Sequence, residues 1–192
     1  MNHTLTPLEP PYAPEIAELL ERYPRGRDGY IIRLFRVFAN STRFLGSKGA
    51  TNLLDRDSPL TLREREIVIL RVTANRDCEY EWGVHVATFA AAADLTEAQV
   101  AATRLAASDA PCWSPGERLL LDCVDQLCHS ATLSDETRQR FQQHWTAEQQ
   151  LEIFALCGNY HLISCVANVS RVAREADSPR FPPPAEPADA AR

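Results

Sequence analysis

Glycine is scarce in this 192-residue chain, with seven residues, and methionine occurs once. Proline is segregated: of 13 prolines, nine lie in the first 14 residues or after Ser178, which leaves the body from about Glu15 to Asp177 nearly free of helix breakers. No segment alternates apolar and polar residues long enough to read as a strand. No apolar run approaches a membrane span. The N-terminus has no basic stretch leading into an apolar core, so it does not read as a secretory signal. The formal charge is -6, which argues against nucleic acid as a partner, because phosphate binding needs a basic face. The six cysteines (78, 112, 123, 128, 157 and 165) show neither disulfide-framework nor zinc spacing. They read as mostly buried thiols of a protein in the reducing cytoplasm.

What is present is helical. A hydrophobic fraction of 45% suffices for a real core. Capping boxes open at Thr61, Thr96 and Thr146, and Ser114-Pro115-Gly116-Glu117 adds proline at the first helical position. Helices are predicted at about 14–23, 28–40, 41–53, 62–74, 78–93, 96–107, 115–129, 134–144 and 147–175. The expected organisation is a proline-rich arm over 1–14, one helical domain over 15–177, and a flexible proline-rich tail over 178–192, mobile or lying on a neighbouring subunit. Apolar faces on short helices such as 28–40 suggest that the chain self-associates.

The stretch that carries chemistry runs from Arg63 to Asp94. Cys78, Glu81, Trp82 and His85 fall three, four and seven residues apart, a spacing that shares one helix face. Glu66 lies twelve residues before Cys78, and a turn at Asn75-Arg76-Asp77 folds its helix back onto the next. A carboxylate among Ile67, Ile69, Leu70, Val86 and Phe89 must pair or take up a proton. His85 between Glu66 and Glu81 is then positioned and tuned for proton transfer near neutral pH. Cys78, at a helix start near that imidazole, is expected to have a lowered pKa. Trp82 and Tyr80 are expected to wall a pocket for a small flat molecule. A metal held by Cys78, Glu81 and His85 is possible by ligand type but has no further ligand cluster to support it, so none is expected.

Two segments, Leu62-Arg63-Glu64-Arg65-Glu66-Ile67-Val68-Ile69-Leu70-Arg71-Val72-Thr73-Ala74 and Cys78-Glu79-Tyr80-Glu81-Trp82-Gly83-Val84-His85, resemble the carboxymuconolactone decarboxylase / alkyl-hydroperoxidase D-like family. The flanking regions extend the resemblance over most of the chain. It implies an all-α fold built round a helical hairpin and assembled into homo-oligomers, as dimer, trimer or hexamer. The peroxidase branch carries Glu, Cys-x-x-Cys and His. Glu66, Cys78 and His85 match those positions, but Glu81 stands in place of the second cysteine and Tyr80 stands where histidine is frequent. A dithiol peroxidase needs a resolving thiol that Cys78 lacks nearby in sequence.

The Glu-Trp-x-x-His form looks like the decarboxylase-type branch. That implies a lyase or isomerase, free of metal or organic cofactor, acting on a small carboxylate or lactone. His85 is the expected general acid/base, with Glu66 and Glu81 as its tuners and Cys78 as a neighbouring polar group. Arg63, Arg71 and Arg43 are the candidates to hold the substrate carboxylate, together with the Tyr80 and Trp82 walls. The alternatives are a one-cysteine thiol peroxidase using Cys78 and a non-catalytic ligand-binding scaffold.

Overall fold

The computed structural model describes residues 6–46 and 58–183. Among these residues every regular element is a helix, in the order α1 (Pro14–Leu20), a short 3-10 turn (Arg27–Gly29), α2 (Arg33–Phe38), α3 (Thr42–Leu45), α4 (Leu62–Asn75), α5 (Glu79–Phe89), α6 (Glu97–Leu105), α7 (Pro115–Ser130), α8 (Asp135–His144) and α9 (Ala147–Val169). None is long and apolar enough to cross a membrane.

The helix starts follow the local code. All four capping boxes form, with Thr61, Ser114, Thr96 and Thr146 each accepting from the N3 backbone while the N3 side chain reaches back. A serine or threonine cap of this kind is worth about 1 kcal/mol. α4 is the central element. Its residues Glu66 to Ala74 are buried without a break, and it packs against α5, α6, α7 and α9. A helix buried on every side over this length belongs inside a bundle. α4 turns back into α5 through Arg76 and Asp77, the latter in a left-handed conformation (φ 50°). This is the hairpin the sequence implies.

Three boundaries differ from expectation. The helix over 28–40 is broken, because Asp28 (φ 57°) and Gly29 (φ 75°) are left-handed and Ile32 is extended, so α2 begins only at Arg33. Of the helix over 41–53 only α3 is present, and residues 47–53 lie outside the described residues. The last helix stops at Val169 rather than at 175, with Arg171 left-handed (φ 47°) just beyond. The apolar face expected to stand free on 28–40 does not: Leu34 to Phe38 are all buried.

Both terminal segments pack on the body as far as they are described. Leu8 N–H donates to the Arg36 carbonyl (3.1 Å), Arg36 pairs with Glu9 (2.6 Å), and Asn40 reaches the Thr6 carbonyl (2.7 Å). At the other end, residues 178–183 form a strap across α5 rather than a loose tail. Ser178 is buried, the Phe181 ring packs on Trp82 (5.2 Å between centroids), and Phe181 N–H donates to Glu79 (2.9 Å). Gly83 makes this possible: a Cβ there would stand 2.5 Å from the Pro179 carbonyl oxygen. Glu175 anchors the strap, accepting from Tyr80 Oη (2.7 Å), Tyr30 Oη (3.0 Å), Arg33 N–H (2.8 Å) and the Arg33 guanidinium (2.5 Å).

Candidate active site

α4 and α5 bring three of the anticipated groups together. His85 Nδ1 lies 2.8 Å from Glu66 Oε2, across the hairpin. His85 Nε2 lies 3.5 Å from Glu81 Oε1, one turn back on the same helix. All three side chains are buried. Nδ1 is committed to Glu66, while the longer approach to Glu81 leaves Nε2 the more available nitrogen. Glu81 Oε2 is itself buried and without a hydrogen-bond partner.

These groups line a cavity of about 480 Å³ between α2, α4, α5 and α9. Its walls are mainly apolar, including Phe35, Phe38, Ile69, Phe89 and Ile163. The Tyr160 ring stands edge-on to the His85 imidazole (5.1 Å, 84°), and Phe89 covers it at 5.3 Å. The guanidinium groups on the cavity wall, among the described residues, are Arg65 and Arg25. Arg25 pairs with Glu21 at the surface (2.7 Å), whereas Arg65 pairs with half-buried Glu152 (3.0 Å).

Burial disfavours a charged imidazole, but the Glu66 carboxylate and then Glu81 outweigh it, and the His85 pKa rises from 6.5 to about 10. The tuning therefore goes further than the sequence suggested, and His85 carries its proton across the whole neutral range. Burial pushes the Tyr160 hydroxyl well above 10, reinforced by the charges of Glu81 and Glu66, so it stays a donor.

Six anticipated roles are corrected, those of Cys78, Trp82, Tyr80 and the three arginines. Cys78 does not acquire a lowered pKa. It is fully buried at the N-cap of α5, and desolvation pushes its thiol up to about 11. Seven residues along a helix also separate it from His85 by about 10 Å of rise. Trp82 is turned about 100° from Glu81 and donates from Nε1 to Thr103 Oγ1 (2.9 Å) beneath the strap. Tyr80 faces the strap too; its hydroxyl donates to Glu175 and accepts from Leu34 N–H (3.2 Å). Neither ring lines the cavity, although Tyr80 holds Leu34, which does.

Arg63 is engaged elsewhere, by Glu117 (2.6 Å) and the carbonyls of Ala93 and Asp94. Arg71 is held bidentately by Asp125 (2.6 and 2.7 Å), and exposed Arg43 is not on the cavity wall. Sequence reasoning missed Arg65 and Tyr160. Arg65 is adjacent to Glu66, and Tyr160 sits on the inner face of α9. Among the described residues no group of three His, Cys, Asp or Glu side chains is arranged to hold a metal.

The helical hairpin and the carboxylate–imidazole–carboxylate cluster in an apolar cavity define a class of small all-helical proteins with a buried acid–base site. Residues 47–125 match the model of the carboxymuconolactone decarboxylase family. No curated protein matches the sequence significantly. Solved structures that share the fold include the following two. One is an uncharacterized peroxidase-related protein from Silicibacter sp. TM1040, with a TM-score of 0.74 at 18% identity over 93% of this chain and 97% of the other. The second is a protein of unknown function from Agrobacterium tumefaciens, named as a candidate antioxidant-defence protein AhpD, with a TM-score of 0.60 at 20% identity over 67% of this chain and 90% of the other.

Proposed function

We propose that the protein is a lyase or isomerase acting on a small, largely apolar carboxylate or lactone, with His85 as general acid. The observation that carries this reading is His85 itself: an imidazole that holds its proton at neutral pH, bonded to Glu66 through Nδ1, on the wall of an apolar cavity with Nε2 the freer nitrogen. In a decarboxylation, the carbon–carboxylate bond breaks, carbon dioxide leaves, and the electron pair remains as an extended enolate. Nε2–H delivers its proton to the carbanionic carbon, and solvent returns a proton to the imidazole. Isomerisation needs the same delivery after the Glu81 carboxylate takes up a proton from elsewhere on the substrate.

Glu66 fixes which nitrogen faces the substrate and stabilises the charge. Glu81 Oε2, buried and unpartnered, accepts from a substrate hydroxyl or from the proton in transit. Arg65, held on the cavity wall by its pair with Glu152 (3.0 Å), is the partner for the substrate carboxylate, whereas Arg25 pairs with Glu21 at the surface. The phenylalanine walls favour a flat, aromatic-derived skeleton.

A thiol peroxidase centred on Cys78 is disfavoured by its burial and raised pKa, because the thiolate is the nucleophile. The test is turnover of a panel of aromatic-derived acids and lactones in D2O, followed by carbon dioxide release and by mass spectrometry. Turnover with one deuteron placed on product carbon, lost by about 100-fold or more in His85→Gln, supports the reading. Full turnover by His85→Gln refutes it. Binding of panel members without any conversion favours a ligand-binding role.

A further inference from the structure

Three hydroxyl side chains stand on the wall of the His85 cavity among the described residues, those of Ser58, Thr88 and Tyr160. Two of them are spent within the protein. Ser58 Oγ donates to Glu152 Oε1 (3.0 Å), and Thr88 Oγ1 donates to the Val84 carbonyl one turn back on α5 (2.7 Å). Tyr160 is different. Its residue is only 3% exposed, yet its hydroxyl has no hydrogen-bond partner among the described residues. The oxygen is not sealed in the core with the buried orphan atoms, so it opens into the cavity that its ring lines.

The position of that hydroxyl is well fixed. Tyr160 lies on the inner face of α9 between buried Leu156 and Ile163. Its ring stands edge-on to the His85 imidazole at 5.1 Å. A tyrosine side chain has two rotatable bonds, so this packing presents the hydroxyl at little further entropic cost. The charges of Glu81, Glu66 and Arg65 all act on it. It therefore sits among the groups that the chemistry uses. A buried hydroxyl left without a partner weakens a fold. Nothing in this fold uses the Tyr160 oxygen, whereas a ligand in the cavity would.

We infer that Tyr160 is a catalytic residue, whose Oη–H donates to the substrate carbonyl oxygen on which the enolate charge develops. That assignment rests on the lyase or isomerase reading of the site, and it specifies the substrate further: a carbonyl must be conjugated with the carbon that loses the carboxylate. The carbon–carboxylate bond breaks and carbon dioxide leaves. The electron pair moves through the conjugated system to the carbonyl oxygen, which accepts from Tyr160. The pair returns to carbon as that carbon takes the Nε2 proton of His85, the carbonyl re-forms, and solvent returns a proton to the imidazole. The two donors have separate tasks. Burial and the charges of Glu81 and Glu66 keep the phenol protonated, so it stabilises the oxyanion without giving up its proton. Glu81 Oε2, the unpartnered acceptor in the same cavity, cannot hold an enolate oxygen, because like charges repel.

The test is Tyr160→Phe, which keeps the ring against His85 and removes the oxygen alone. For a panel acid or lactone that the native chain converts, kcat is expected to fall about 100-fold or more with KM nearly unchanged. The deuteron is expected on the same product carbon. The melting temperature is expected to equal or exceed the native value, since the lost hydroxyl has no partner in the fold. A second readout needs no turnover. Para-nitrophenol is titrated into both chains at a pH where it is half ionised, and its phenolate absorption separates bound anion from bound phenol. The ratio of phenolate to phenol affinity is expected to fall about 10-fold or more in Tyr160→Phe. Full kcat in Tyr160→Phe overturns the inference and leaves His85 standing as general acid. An unchanged phenolate ratio also overturns it, as does a lowered melting temperature, which would assign the hydroxyl to the fold. A native chain that converts no panel member overturns the reaction reading instead, and the phenolate ratio then decides by itself whether Tyr160 serves an oxyanion.

Discussion

The proton on His85 has a thermodynamic consequence that can be measured without a substrate. An unfolded histidine titrates near 6.5, whereas in the folded protein the Glu66 and Glu81 carboxylates overcome burial and hold the pKa near 10. The native state therefore keeps a proton that the unfolded chain releases as pH rises through 6.5. The stabilisation is fully present below pH 6.5 and is lost progressively up to about pH 10. Between pH 6 and pH 8 this single group removes about 2 kcal/mol of folding stability.

That window also stays mostly below the titration of unfolded thiols, which would add a slope of the same sign through buried Cys78. The assay is urea unfolding at several pH values for the native chain and for His85→Gln. The variant is less stable throughout, by about 3–5 kcal/mol, because Glu66 is left buried and unpaired. Its slope with pH, however, lacks the histidine contribution. In parallel, the His85 ring followed by NMR is expected to stay protonated through neutrality, and Glu66→Gln is expected to lower its midpoint by about 1–3 pH units. A native midpoint near 6.5, or identical pH slopes for the native chain and His85→Gln, would refute the electrostatic account of the site.

The remaining expectations bear on the strap, the thiol and the cavity cation. Gly83→Ala forces the Pro179 carbonyl away from α5, at an expected cost of about 1–3 kcal/mol, read as a lowered melting temperature. Glu175→Ala leaves the Tyr80 hydroxyl and the Arg33 guanidinium without their acceptor, and it loosens Leu34 on the cavity wall. A similar loss of about 1–3 kcal/mol is expected, with KM raised more than kcat falls. Cys78 is expected to resist a thiol reagent in the native state, and Cys78→Ala to keep most of the turnover; rapid labelling of Cys78 at neutral pH would contradict its burial. Arg65→Met is expected to raise KM for carboxylate substrates, while Arg63→Met, which removes a contact to Glu117 outside the cavity, is expected to leave KM unchanged.

The parts of the molecule legible in the sequence are those governed by local rules. The capping boxes at Thr61, Thr96, Ser114 and Thr146 mark four helix starts because their partners lie three residues away. The Glu81–His85 pair follows from helical spacing, and Glu66 joins it once the hairpin closes at Asp77. Elements broken by left-handed residues at Asp28, Gly29 and Arg171 were not legible, since aspartate and arginine occupy ordinary helices far more often than αL positions.

Orientation about an axis was the second limit. Trp82 and Tyr80 are neighbours of Glu81 in sequence, but each further residue turns about 100° round α5, so one ring meets Thr103 and the other meets Glu175. Their roles come from the strap at 175–183, a partner distant in sequence. Cys78 shows the same dependence. A helix start lowers a thiol pKa only where the thiolate can be solvated, and the packing of α9 over the hairpin removes that solvent. The same helix brings Tyr160 to His85, so its inner face both removes the thiol from the chemistry and completes the cavity around the imidazolium.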